Sequence, residues 1–148
     1  MESIENPLFT LRLDEIQPSQ VYVSQAKLNS VSYALQCGGP MLLAPVSVIK
    51  INDRWTLSDG HSRCLGLFLN GYSEVSVYED DEICDVLMYK QCVKWCNEEA
   101  LFSIPDLKDQ IIPHPVFESF WLRRCRIMHK LMYQNLDYCI KGLSERKP

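Results

Sequence analysis

Five consecutive residues, Asp59-Gly60-His61-Ser62-Arg63, bring together a carboxylate, a glycine, an imidazole, a hydroxyl and a guanidinium. Arg63 can pair with a phosphate through two parallel hydrogen bonds, Ser62 can donate from its hydroxyl, Asp59 can help hold a hydrated magnesium ion, and His61 can hydrogen-bond a transferred group or move a proton. That chemistry needs a turn, and the flanking residues supply one. Trp55, Thr56 and Leu57 read as a strand leaving a hairpin, while Leu65, Phe68 and Leu69 recur at the i, i+3, i+4 spacing of a helix face that ends at Asn70-Gly71. In a strand, tight turn and helix, Gly60 lets the backbone approach a ligand, and the first helical N–H groups lie unpaired at the positive end of the helix dipole. A plain structural account fits the same residues: Asp59 as a helix N-cap, Gly60 as a turn residue, His61 and Ser62 as solvated positions, and Arg63 as a partner for an acidic side chain.

The elements around this turn follow from local patterns. Leu8 to Leu13 alternates, with Phe9, Leu11 and Leu13 on one face, as in a half-buried strand. After the break at Ile16-Gln17-Pro18-Ser19-Gln20, Ser24 can cap a helix with Leu28, Val31 and Leu35 inward, stopped by Gly38-Gly39-Pro40. Val46 to Ile51 is the next strand, Asn52-Asp53 a hairpin turn, and Val75 to Tyr78 a short strand closed by the acidic run Glu79 to Glu82. Helices follow. Asp85 can cap one with an apolar stripe of Met88, Tyr89, Cys92, Val93 and Cys96; Ser103 to Asp106 matches a capping box opening a short helix through Leu107 and Ile111. Beyond Pro113-His114-Pro115, the longest helix is expected from Phe117 to about Gln134, with Phe120, Trp121, Cys125, Met128 and Met132 on its inner side.

With 148 residues, 47% of them hydrophobic and 23% charged, the chain is long enough to bury a core without disulfides. The expected class is α/β (α+β), a small mixed sheet with helices followed by a helical half packed on it. One domain is expected over 1–148, its α/β part at 1–80 and its helical extension at 81–148. No secretory signal and no membrane-spanning apolar run is evident, so the expected location is cytoplasmic, without a membrane partner. Seven cysteines at 37, 64, 84, 92, 96, 125 and 139 lack C-x-x-C spacing and nearby histidines, which favours buried free thiols over a metal or redox site. Cys64, in the first turn of the helix after Arg63, is the thiol whose pKa a helix N-terminus would depress.

Net charge is −4, but unevenly spread: residues 1 to 100 hold 7 Lys or Arg against 14 Asp or Glu, residues 101 to 148 hold 8 against 5. The excess gathers in Arg123, Arg124, Arg126 and Lys130 on the helix over 117–134. A solvated helix face accounts for these charges first; as a contact surface, they suit a protein partner, with DNA not favoured.

The turn Gly60-His61-Ser62-Arg63, after a hairpin strand and before an apolar helix, resembles the phosphate-binding turn of the ParB/sulfiredoxin-like superfamily. That turn reads G-E-R-R in ParB chromosome-partitioning proteins, G-C-H-R in sulfiredoxins and D-G-H-[TH]-R in the related free serine kinases. The order of elements from Leu8 to Tyr78 is also similar. The resemblance implies a nucleotide ligand, ATP, ADP or CTP with Mg2+, with Gly60, His61, Ser62, Arg63 and Gln20 binding it and Asp59 at the metal. Sulfinic-acid reduction is not expected, since His61 stands where sulfiredoxins carry their cysteine. A kinase-like or nucleotide-hydrolysing reaction would draw on His61, Asp59 and a base. The kinases' glutamate position falls in Pro18-Ser19-Gln20, so Glu15, or Asp14 beside it, is the carboxylate left to serve. In ParB proteins a P-x-Q segment contacts the nucleotide, which Pro18 and Gln20 match. The alternative is a non-catalytic ligand-binding or interaction module of the same family.

Overall fold

The computed structural model describes residues 6–82 and 85–145, with 135–145 as backbone only; Cys84 and Cys139 lie outside the described side chains. N-terminal alternation produces β1 (Leu8–Arg12), with Phe9 and Leu11 half-buried and the residues between them exposed. A two-residue strand, β2 (Val23–Ser24), leads into α1 (Gln25–Gly38). Ser24 Oγ accepts the Lys27 N–H as an N-cap, and Leu28, Val31 and Leu35 point inward as the spacing predicts. β3 (Val46–Ile51) and β4 (Arg54–Asp59) form a hairpin across Asn52-Asp53, whose φ values of 51° and 61° are the left-handed pair that matches the twist of a tight hairpin. α2 (His61–Leu69) and β5 (Glu74–Glu79) complete the α/β part.

Four strands form one mixed sheet in the order β1-β5-β3-β4. β1 and β5 are antiparallel, β5 and β3 parallel, and β3 and β4 antiparallel. Two parallel strands need a crossover, and here it is β4 plus α2, so that Leu65 and Leu67 of α2 join Val46, Val48 and Val77 in the core. The buried face of α2 differs from the expected Leu65, Phe68 and Leu69. Cys64, Leu65 and Leu67 are buried, Phe68 is half-buried and Leu69 is exposed, because α2 is covered by the sheet on one side and by α1 on another. The two helices meet so closely that a Cβ at Gly66 would lie 2.4 Å from Val31 Cγ1.

α3 (Val86–Glu98) buries Cys92, Val93 and Cys96, with Met88 and Tyr89 packed at the margin of the core. Asp85 stands at its N-cap position without capping it; the carboxylate instead accepts the Tyr133 hydroxyl and faces His129 Nε2 at 3.8 Å. The capping box at Ser103 and Asp106 forms, but opens only a 3-10 turn over Ile104–Asp109. Ile111 therefore belongs not to that helix but to β6 (Ile111–Ile112), which runs parallel to β2.

Pro113 occupies the N-cap position of α4 (His114–Phe117), which starts three residues before the expected helix, with Pro115 accommodated in the first turn. A wide π turn at Glu118–Leu122 joins it to α5 (Arg123–Glu145). That turn explains why Phe120 is not a core residue. Inward positions Phe117, Trp121 and Cys125 are spaced four and four, longer than a regular helix repeats, and the widened turn keeps all three facing the core. Trp121 is buried against Trp95, while the preceding Phe120 is turned outward and 56% exposed. Among the described residues, no helix is long and apolar enough to cross a membrane.

Gly66→Ala, which raises intrinsic helix propensity, is expected to destabilise the protein by about 1–3 kcal/mol, because the new methyl meets Val31 before α1 can move. Urea unfolding checks this; a midpoint at or above that of the parent would contradict it.

Candidate functional site

Hydrogen bonds beside β4 bring the Pro18-Ser19-Gln20 segment to the start of α2. Gln17 N–H donates to Trp55 O at 3.0 Å and Gln17 O accepts Leu57 N–H at 2.9 Å, so the chain runs alongside β4 as a short irregular strand. Gln17 itself is buried, with Nε2 donating to Pro18 O and Leu101 O and Oε1 accepting Arg54 Nη1 at 2.7 Å. Ser19 Oγ donates to Leu57 O at 2.6 Å, and Ser19 N–H donates to His61 Nε2 at 2.9 Å. That last bond settles the imidazole tautomer. Nε2 is the acceptor, so the ring proton sits on Nδ1, a buried atom with no hydrogen-bond partner among the described residues. Burial drives the His61 pKa down to about 3, leaving a neutral ring that offers one N–H donor.

Gly60 occupies the N-cap of α2 at φ 106° and ψ 26°. Both conformation and space demand glycine, since a Cβ would lie 2.4 Å from Val46 Cγ1. The first hydrogen bond of the helix is Cys64 N–H to Gly60 O at 2.9 Å, so the N–H groups of His61, Ser62 and Arg63 have no acceptor within the helix. Arg63 is partly committed. Its Nη1 donates to Ala44 O and Pro45 O, each at 3.0 Å, and its Nη2 lies 3.4 Å from Asp59 Oδ2. Asp59 makes no cap hydrogen bond to α2, and its carboxylate is 83% exposed.

A cleft of about 280 Å3 opens over this helix start, lined by Asp59, Gly60, His61, Ser62 and Arg63 together with Gln20 from the pinned segment and Lys27, Ser30 and Val31 from α1. Six of the seven residues named from the sequence are thus brought together, and Glu15 is not. Glu15 sits in a turn after β1, 3.5 Å from Arg12 Nε, and its neighbour Asp14 lines a separate cleft with Phe68, Gly71 and Tyr72, at the opposite end of α2. Lys27 and Ser30 were missed: they lie on one face of α1, but nothing in their spacing tells that this face abuts the start of α2. Lys27 Nζ also rests 5.6 Å from the Phe117 ring centroid.

The expected low pKa at Cys64 is overturned: burial pushes this thiol up to about 12 against the opposing pull of Arg63, so the helix N-terminus does not activate it. Cys92 and Cys96 are buried free thiols as expected, Cys125 is half-buried and Cys37 exposed. Among the described residues, no three His, Cys, Asp or Glu side chains converge to hold a metal, leaving Asp59 as the one carboxylate in the cleft lining.

No protein-family model and no curated protein sequence matches the chain. Solved structures do. The free serine kinase in complex with AMP is 21% identical with a TM-score of 0.49, over 56% of this chain and 34% of that one. Sulfiredoxin from Arabidopsis thaliana is 16% identical with a TM-score of 0.47, over 57% of this chain and 97% of that one. The C-terminally truncated chromosome-partitioning protein ParB from Caulobacter crescentus, complexed with CTP-gamma-S, is 14% identical with a TM-score of 0.44, over 62% of this chain and 53% of that one. The likeness is one of fold and assigns neither ligand nor reaction.

Two predictions test this geometry. Gly60→Val is expected to cost about 2–4 kcal/mol, combining a left-handed β-branched residue with overpacking against Val46, and thermal unfolding at wild-type temperature would contradict it. The depressed His61 pKa means that the unfolded chain binds the extra proton first, so stability is full above pH 6.5 and falls as pH drops toward 3, with a slope of about 1.4 kcal/mol per pH unit. His61→Asn should flatten that acid limb in pH-dependent urea unfolding; an unchanged slope would show that His61 is not its source.

Proposed function

We propose that this chain binds the phosphate end of a nucleotide at the β4–α2 turn, and acts as a binding module rather than through a carboxylate base. One observation carries the reading: the three backbone amides free of helical partners belong to His61, Ser62 and Arg63, which line a cleft together with the cation-bearing Lys27. Amide dipoles that are already placed favour an anion, and the two cations are near enough to turn toward it. The Arg63–Asp59 contact is long and exposed, a class of ion pair worth at most about 1 kcal/mol, so a phosphate can take over Nη2 while Nη1 continues to hold the Ala44-Pro45 carbonyls. Size sets the extent of the contact. A volume of about 280 Å3 is smaller than the roughly 300–1,000 Å3 of sites that enclose a drug-sized ligand, so it suits a phosphate group with the nucleoside lying outside along Gln20 and α1.

Magnesium fits in a limited way. Asp59 offers one exposed carboxylate, and Mg2+ is commonly held by one or two carboxylates with phosphate oxygens and water completing the shell. When bound, the ion would neutralise phosphate charge. A kinase or hydrolase reading draws support from Asp59 alone, because the His61 Nε2 lone pair is occupied by Ser19 N–H and Glu15 lies elsewhere.

The test is thermal unfolding and calorimetry with ATP, ADP, CTP and GTP, with and without magnesium, followed by product analysis. At a ligand concentration about 100-fold above Kd the gain is about 2.7 kcal/mol, and Lys27→Ala is expected to weaken affinity about tenfold while leaving the unliganded melt near that of the parent. Absence of any shift with all four nucleotides, or an unchanged response in Lys27→Ala and Arg63→Ala together, would refute the reading.

A further inference from the structure

A second concave surface lies far along the chain from the phosphate cleft, between α3 and α5. The two helices run antiparallel: Asp85, before α3, meets His129 and Tyr133 of α5, while Trp95, near the end of α3, meets Trp121 and Arg124. The groove between them has a volume of about 610 Å3, and its apolar lining includes Trp95, Phe120, Ile127 and Leu131. Three of these are apolar side chains left in water, Phe120 at 56% exposure, Ile127 at 52% and Leu131 at 57%. Isolated exposed apolar residues are ordinary, but a contiguous row at helical spacing marks a contact surface.

The charges around the row say what covers it. Arg123 and Arg124 line the groove, no carboxylate is among its described lining residues, and exposed Arg126 and Lys130 lie along the same helix. Arg124 is held in place, its guanidinium 4.8 Å from the Trp95 ring centroid and 6.0 Å from that of Trp121. This basic edge belongs to a chain of net charge −4, so it is a local feature and not a consequence of composition. A two-fold pairing of the groove with its own copy would bring one basic edge against another with no carboxylate in the described lining to offset it, and like charges at close quarters oppose it.

We propose that the α3–α5 groove receives an acidic amphipathic helix of another protein, with apolar anchors at i, i+4 and i+11 seated in turn on Leu131, Ile127 and Phe120 and carboxylates paired to Arg123, Arg124 and Lys130. The apolar row supplies area, the arginines supply orientation, and the steps of one turn and two turns between Leu131, Ile127 and Phe120 set the spacing of the anchors.

Selection of a displayed library of random 16-residue peptides on the full chain tests this, followed by fluorescence anisotropy of the best peptide and sedimentation of the protein alone. Expected are enriched sequences carrying apolar residues at helical spacing separated by Asp and Glu. Binding should weaken about tenfold in Arg123→Glu/Lys130→Glu and more than a hundredfold in Ile127→Asp/Leu131→Asp, with both exposed-site variants retaining the parent circular dichroism and melt. Enrichment without acidic bias, no enrichment that depends on these residues, or a self-associated protein that Ile127→Asp disperses would each overturn it, the last by showing that a second copy is the occupant.

Discussion

One buried hydrogen bond, from the Ser19 amide to His61 Nε2, organises the candidate site. It ties the Pro18-Ser19-Gln20 segment to the first residue of α2, sets the tautomer of the imidazole, and takes away the lone pair with which His61 could act as a base. Burial reinforces it, since an imidazolium in that position would have neither water nor a carboxylate against it. The segment and α1 are neighbours in sequence, and the bond joins both to α2, some forty positions on. Gln20 reaches the cleft because Ser19 is fixed, and Lys27 reaches it because α1 follows directly from the same segment. The cleft therefore presents fixed donors and carries little acid-base capacity of its own.

Arg63 plays two parts that the sequence could not separate. Its position after Gly60-His61-Ser62 marks a helix start, and a guanidinium there reads equally as a phosphate ligand or a structural tie. In the fold it is a tie: Nη1 bridges two carbonyls of the loop before β3. Gly60 has a comparable double meaning. Its reading as a turn residue and its reading as a point of close approach both hold, but what comes close is Val46. These two residues hold the turn in shape whether or not an anion is present, and an anion would find that shape already formed.

Much of the α/β half was legible because its signals are local. Alternation gave β1, Ser24 gave the cap of α1, and Asn52-Asp53 gave the hairpin, since each depends on residues within a few positions. What the sequence hid depends on partners far away. β2 and β6 are two residues each and exist through pairing across 88 positions between Val23 and Ile111. Lys27 belongs to the cleft only because Gly66 allows α1 to approach α2, and Glu15 fails to reach it because the turn after β1 folds back on Arg12. The capping box of Ser103 was readable, but how far the following turn would run was not, because Ile111 is claimed by β2. In the helical half, periodicity identified the inner face around Trp121 and misplaced Phe120, an error that comes from assuming a uniform 3.6-residue repeat where the chain inserts a wider turn.

That wider turn at Glu118–Leu122 has a consequence for how such a surface can diversify. A π turn absorbs one surplus residue without changing the phase of the helix on either side. Loss of a single residue there would close it into ordinary helix, leaving Phe117 and Cys125 on their interior contacts while removing or redirecting the outward ring of Phe120. Length at this point is a dial that alters the outside of the molecule and spares its interior, so kindred chains differing by one residue here can share a core and greet different company.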